Sequence, residues 1–342
     1  MRIKVEKQII RLAALFLGVV LLTAAAFSMV RLWEDRRETP DPVRETQPDA
    51  SSESGGTVFY QDVWYAPRDV ETYLVMGLDK FDTGDMPESY INTQQADFLL
   101  LLITDPSDQS YCALHLNRDT MTQIPILGVT GELAGSFTGQ LALAHTYGSG
   151  GEDSCENTVK AVSDLLYGTE IDHYLSMTMD AVSILNDMAG GVTLTLLDDF
   201  SDLDLEMVKG REITLRGEQA LLYVRTRFGR EDSTNLHRME RQRQYLETLL
   251  TQVQSRAQED PGFFAESVLS VSDYLVSDCT IQQLSDLGEI LEEYTFSGLY
   301  TTEGEAVRGE EFMEFYVDDD ALRALVMELF YQKAEPAQNG GE

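Results

Sequence analysis

Positive charge is scarce in this chain of 342 residues: 25 Lys and Arg stand against 59 Asp and Glu, a formal net charge of -34. Nucleic acid is excluded as a partner, because phosphate-backbone binding needs a broad basic surface. Cysteine is scarcer still. Cys112, Cys155 and Cys279 are odd in number and widely spaced, which fits neither a disulfide framework nor a zinc site; at most one bridge can form. Four histidines, His115, His145, His173 and His237, show no metal-ligand spacing and read as structural. No nucleotide motif and no internal repeat is present.

What positive charge there is lies in two places. Of the 25 basic residues, eight fall between Arg2 and Arg44, and eight arginines fall between Arg211 and Arg243. The first group flanks Leu12 to Val30, 19 residues without a charge, about what a helix needs to cross a bilayer core of ~30 Å. Arg2, Lys4, Lys7 and Arg11 precede the run and favour a cytoplasmic N-terminus. Residues 1–33 are therefore expected to form a cytoplasmic N-terminus and a single transmembrane anchor; a cleaved signal peptide with an A-x-A site at Ala24 to Ala26 is the alternative. In either case the remainder is extracytoplasmic. Residues 34–68 begin with a charged stretch that carries Pro40, Pro42 and Pro48 and ends in Ser and Gly, the composition of a tether.

Removing the first 68 residues leaves 342 − 68 = 274, enough for a substantial core. A domain is expected over residues 69–333, with a disordered tail at 334–342. TYLVMGL reads as a strand ending at Asp79, ADFLLLLIT as one starting near Asp97, and SYCALHL as a third ending at Arg118; Asp105 to Asp108 make the turn between the last two. Paired as an antiparallel meander, they bring Asp79, Asp97 and Arg118 to one edge. Strands and helices then alternate: Glu156 to Tyr167 as a helix, HYLSMTM as a strand, Ala181 to Met188 as a helix, VTLTLL as a strand. Phe263 to Leu275 and Ile281 to Tyr294 read as helices and EFYV as a strand. Asp319 reads as the N-cap of a helix over Ala321 to Phe330. The expected fold is α/β, a mixed central sheet with helices on both faces.

The second basic cluster is the functional clue. EQALLYVR has the spacing of a short helix that Gly217 can open, with Arg225 and Arg227 leaving its last turn. A longer helix follows, marked by Leu236, Met239, Leu246, Leu249, Leu250 and Val253, with Gln242 inside that stripe and Arg238 at its edge. Buried polar groups need partners, so this face reads as the lining of an anion pocket. The alternative is that Arg at a helix end answers the macrodipole, with Arg241 and Arg243 on a solvated face. Two carboxylates at a strand edge, with arginines near, suit a divalent cation bound to phosphate.

YVRTR followed by HRMERQRQ resembles the R-x-R and R-x-E-R-Q signature of the LytR-CpsA-Psr family of bacterial cell-wall glycan ligases. GLDK, QQADFLLLLITDP, LNRDT, AHTYGSGG and LRGEQALLYVRTR resemble further blocks of that family in the expected order, from about Val70 to Phe330. The resemblance implies a phosphotransferase that moves a phosphorylated glycopolymer of teichoic acid or capsular type from a polyprenyl pyrophosphate to peptidoglycan. It implies Mg2+ or Mn2+ on Asp79 and Asp97, and a phosphate-binding Arg118. Arg225, Arg227, Arg238 and Gln242 fall on its pyrophosphate-binding positions, and apolar surface beside the sheet would take the lipid chain. Gln95 and Gln140 replace the family's usual Arg and Lys, each keeping an N–H donor while losing a charge. A polyprenyl-pyrophosphate hydrolase and a non-catalytic lipid- or glycan-binding regulator are the alternatives.

Overall fold

Three consecutive, almost uninterrupted apolar segments build the middle of the protein. The computed structural model describes residues 57–80, 92–128, 131–226, 236–260, 262–310 and 312–334, all within one compact unit, Glu53–Glu342. In chain order come the hairpin β1 (Val58–Tyr60) and β2 (Val63–Pro67), then β3 (Glu71–Lys80), β4 (Gln94–Asp105) and β5 (Ser110–Leu116). An antiparallel pair, β6 (Met121–Leu127) and β7 (Leu133–Gln140), leads through a 3-10 turn at Leu141–Thr146 into α1 (Glu152–Leu165). Next are β8 (His173–Thr178), α2 (Asp180–Met188), β9 (Val192–Thr195), β10 (Glu212–Leu215), α3 (Glu218–Arg225), the long α4 (Leu236–Glu259) and α5 (Phe263–Ser270). The last third holds β11 (Leu275–Ser277), α6 (Ile281–Glu293), β12 (Thr295–Thr301), β13 (Gly304–Arg308), β14 (Met313–Val317), α7 (Asp319–Phe330) and β15 (Tyr331–Lys333).

Six strands form the central sheet in the order β11-β8-β3-β4-β5-β12. The expected meander is there: β3, β4 and β5 pair antiparallel in sequence. Around it, β8 runs parallel to β3 and β12 parallel to β5, so the sheet is mixed. Alternate residues point to opposite faces. Leu74, Met76, Leu99, Leu101 and Leu114 pack with Val162 of α1 and Val326 and Leu329 of α7. Tyr73, Leu100, Leu102 and Ala113 serve the other face, against Leu284 and Leu287 of α6 and the half-buried Leu246 of α4 and Phe264 of α5. Each such side chain contributes about 1.5–3 kcal/mol when fully buried, so both helical layers are needed.

Several boundaries differ from the sequence reading. The ordered chain starts before Asp69: β1 and β2 lie inside the stretch expected to be linker, and β2 pairs with β15. Val58, Phe59, Trp64 and Tyr65 are β-formers that the low-complexity tether preceding them conceals. β15 likewise takes up the end of the domain, and Ala334 N–H donates to Trp64 O. Asp318, not Asp319, caps α7, its carboxylate accepting from Ala321 N–H at 3.0 Å. The helix expected over Phe263 to Leu275 stops at Ser270, because Leu275 to Ser277 pair with β8 at the sheet's edge. Leu12 to Val30, the rest of the tether and residues 335–342 lie outside the described residues. Among the described residues no helix is long and apolar enough to cross a membrane.

Candidate functional site

At the end of β3 the register slips. Gly77 stands opposite Phe98 and Leu78 opposite Ala96, which leaves Asp97 as the extra residue of a bulge in β4. Bulges re-aim a side chain and sharpen the local bend. The backbones approach closely there: a Cβ added to Gly77 would sit 2.9 Å from Phe98 Cβ. Asp97 is buried, and a buried carboxylate needs charged partners. Arg118, two residues beyond β5, donates to Asp97 Oδ1 through Nη1. Arg238, in the first turn of α4, donates to Asp97 Oδ2 at 3.4 Å and to its backbone carbonyl at 3.3 Å. One carboxylate thus holds two buried guanidinium groups together.

Asp79, near the end of β3, meets the other arginine. Arg225 at the last turn of α3 binds it in a fork, Nε to Oδ2 at 2.6 Å and Nη2 to Oδ1 at 2.7 Å. Gly217 opens that helix with φ of 47°, a conformation that favours glycine. The Arg225 side chain is 49% exposed. Its pair with Asp79 is therefore worth little, about 0–1 kcal/mol, whereas the arginines on Asp97 are fixed by burial.

The two glutamines face this network in different ways. Gln95 Oε1 accepts from Arg118 Nη2 at 2.8 Å, so its carbonyl, not its amide N–H, meets the site. Gln140 directs its Nε2 to Asp119 Oδ1 at 2.9 Å and to Met313 O at 2.7 Å. Asp119 in turn lies 3.3 Å from Arg118 Nε. Gln140 thus stands one residue removed from Arg118, with Asp119 between them, and in this structure its two N–H groups are taken up by Asp119 and Met313. Arg227 lies outside the described residues.

Gln242 is buried on α4 and donates to Val224 O at 3.0 Å. Its neighbour Arg241 donates through Nη2 to Thr226 O and through Nη1 to Asp198 Oδ2 at 2.6 Å. Two consecutive side chains thereby satisfy carbonyls that the end of α3 leaves without helical partners. Arg241 is 1% exposed, with Phe200 and Tyr223 rings 5.3 and 6.0 Å from its guanidinium. The solvated-face reading holds for Arg243, exposed and paired with Glu247, and fails for Arg241. Leu236, expected in the buried stripe, is 45% exposed, because the inward face runs through Arg238, Arg241, Gln242 and Tyr245. Sequence reasoning missed Asp198 and the part Arg241 plays; the three-residue step from Arg238 to Arg241 was the available signal.

Beside the charges lies an apolar cavity of about 190 Å3. Gly77 and Phe98 line it, one on each strand of the bulge, with Met177, Val182, Leu185, Val224, Tyr245 and Leu249. Gln242 is its polar residue. His115, packed 5.0 Å from the Phe98 ring, adds no charge: burial, and then the Arg238 guanidinium, lower its pKa to about 3.

The fold and site define an α/β protein in which fixed arginines and two carboxylates at a sheet edge adjoin an apolar cavity. The chain belongs to the LytR_cpsA_psr family, whose model matches residues 37–323. It is 31% identical over 159 residues to the polyisoprenyl-teichoic acid–peptidoglycan teichoic acid transferase TagU of Halalkalibacterium halodurans, a match covering 46% of this chain and 47% of that one. To TagU of Bacillus subtilis it is 25% identical over 250 residues, 73% and 71% of the two chains. The chain thus spans about half the length of the first of these relatives. In fold it is similar to the crystal structure of B. subtilis TagU, with a TM-score of 0.53 at 20% identity over 79% of this chain and 100% of that one.

Proposed function

We propose that this protein transfers a phosphorylated glycopolymer from a polyprenyl-pyrophosphate carrier to peptidoglycan. The observation that carries the reading is the contact between opposite chemistries: Gly77 and Phe98 line the apolar cavity while Asp79 and Asp97, within two residues of them, hold the arginines. A polyprenyl pyrophosphate has the same division. Its first isoprene units fit the cavity, and its phosphates fall to Arg118, Arg225 and Arg238, with Arg227 on the adjoining segment.

Two hard carboxylate donors at one sheet edge suit magnesium or manganese, and Asp79 and Asp97 would hold it. When bound, such an ion neutralises charge on the pyrophosphate oxygens. The chain's own residues do the rest. Arg225, exposed and weakly held, exchanges Asp79 for a phosphate oxygen, and Arg118 and Arg238 stay fixed and stabilise charge developing at phosphorus. An acceptor sugar hydroxyl attacks that phosphorus, and the lipid monophosphate leaves. The reading includes the N-terminal anchor: the Leu12 to Val30 run would hold the domain outside the cytoplasmic membrane, where lipid carrier and peptidoglycan meet.

The test is transfer by the full chain in detergent, with a polyprenyl-pyrophosphate oligosaccharide, Mg2+ and peptidoglycan. Arg225→Ala should cut transfer roughly tenfold to a hundredfold, the ~1.5–3 kcal/mol of one charge-assisted contact, without lowering the melting temperature. Release of lipid phosphate at the same rate without peptidoglycan would make the protein a hydrolase. Tight binding without turnover would make it a receptor.

A further inference from the structure

The opposite end of the central sheet carries a second cluster of chemistry-bearing side chains. β3 and β8 start there side by side, with Tyr73 opposite His173. β11 runs back along β8 and ends at Ser277 opposite Leu175, so Asp278 and Cys279 emerge next to the start of β8. Tyr174 N–H donates to Asp278 Oδ1 at 2.9 Å and fixes that carboxylate, whose Oδ2 lies 3.6 Å from His173 Nδ1. Donor atoms of His173, Asp278 and Cys279 all lie within 4.8 Å of one another. His173 Nδ1 is buried and has no hydrogen-bond partner among the described residues. On the ring's far side, Nε2 lies 3.5 Å from Glu71 Oε1.

We propose that His173, Asp278 and Cys279 form a site for one borderline divalent transition-metal ion of the zinc type. The donor set selects the class. Imidazole, thiolate and carboxylate together suit zinc or cobalt, whereas magnesium and calcium take oxygen donors. A tetrahedral zinc sets such donors about 3.3–3.6 Å apart, so side-chain rotations of about an ångström close the site. Water takes the fourth position. Glu71 supplies the outer partner that a metal-bound imidazole needs, a carboxylate on its other nitrogen.

The protons balance. Gln283 Nε2, 3.1 Å from His173 Nε2, now donates to that nitrogen, which places the ring proton on Nδ1. On metal binding that proton moves to Nε2, which then donates a hydrogen bond to Glu71 in place of the one it accepted from Gln283. The Cys279 thiol gives up its proton as the metal–sulfur bond forms. One proton is released per ion. The ion would pin the start of α6 to β8 and the edge strand β11 and stabilise the folded chain by binding it alone. The site stands apart from the arginine cluster and does not rest on the transfer reading.

Cobalt is the direct probe, because a cobalt–thiolate bond absorbs in the near ultraviolet. The full chain should take up one equivalent of Co2+ with that absorption, release about one proton, and lose the band when Zn2+ is added. Cys279→Ser should abolish the band and Asp278→Asn, an exposed change, should weaken binding at least tenfold. Cys112→Ser and Cys155→Ser, at thiols buried elsewhere in the sheet core, should leave it unchanged. Absence of cobalt–thiolate absorption in the wild-type chain, or its persistence in Cys279→Ser, would overturn the site.

Discussion

Arg241 is more deeply buried than Arg118 or Arg238, and it touches neither of the carboxylates at the sheet edge. Its contacts explain why a charge is kept there. Asp198 neutralises it, two aromatic rings face its guanidinium, and its second nitrogen holds Thr226 O, the residue joining Arg225 to Arg227. Removing one partner of such a pair leaves an uncompensated charge, a loss of about 3–5 kcal/mol. Arg241→Met should therefore lower the urea midpoint strongly. Arg241→Lys keeps the charge on Asp198 but not the fork, so it should stay folded and bind a short prenyl pyrophosphate about tenfold more weakly. Wild-type urea midpoints in both variants would show that the cage is dispensable. Periodicity placed Gln242 inside the inward stripe and Arg238 at its edge, and the three-residue step from Arg238 puts Arg241, not Arg243, on that side; what it could not supply was the partner, because Asp198 lies 43 residues away in sequence.

Among the elements, the meander of β3, β4 and β5 was legible in the sequence because uninterrupted apolar segments, ended by Asp79 and Arg118, need a sheet covered on both faces. The short strands β1, β2, β11 and β15 were not. Each is three to five residues long and exists through its partner's backbone, which no local pattern reveals. The bulge was hidden too, although it decides where Asp97 points. Gly77 makes it practicable: an added methyl would meet Phe98 Cβ at 2.9 Å and Met179 Sδ at 3.3 Å, so the strands would have to part. Gly77→Ala should cost about 1–3 kcal/mol, as overpacking does, read as a fall in melting temperature. It should also narrow the cavity that Gly77 lines and weaken prenyl binding. An unchanged melting temperature would mean that the strands yield without cost.

At the scale of the whole molecule, a charge of -34 opposes any anionic ligand, which makes the buried arginines a local exception held by local carboxylates. The β1–β2 hairpin ties the start of the folded unit to its end, in a three-stranded sheet β1-β2-β15 separate from the central one. β2 covers β15, Arg68 N–H donates to Phe330 O at 2.8 Å, and the Arg68 guanidinium reaches Asp105 at 3.2 Å in the β4–β5 turn. Phe59 and Trp64, both exposed, pack with tilted rings 5.1 Å apart on the hairpin. Composition alone placed the start of the domain at Asp69, after these contacts. A chain beginning at Gly56 should match the full-length protein in melting temperature and in urea midpoint. One beginning at Asp69 loses two strands and leaves β15 as an unpaired edge, which invites association between chains. It should melt at least several degrees lower and form concentration-dependent oligomers in light scattering. If the two chains melted together and both stayed monomeric, the hairpin would be an ornament on the domain, and the boundary read from composition would be the working one.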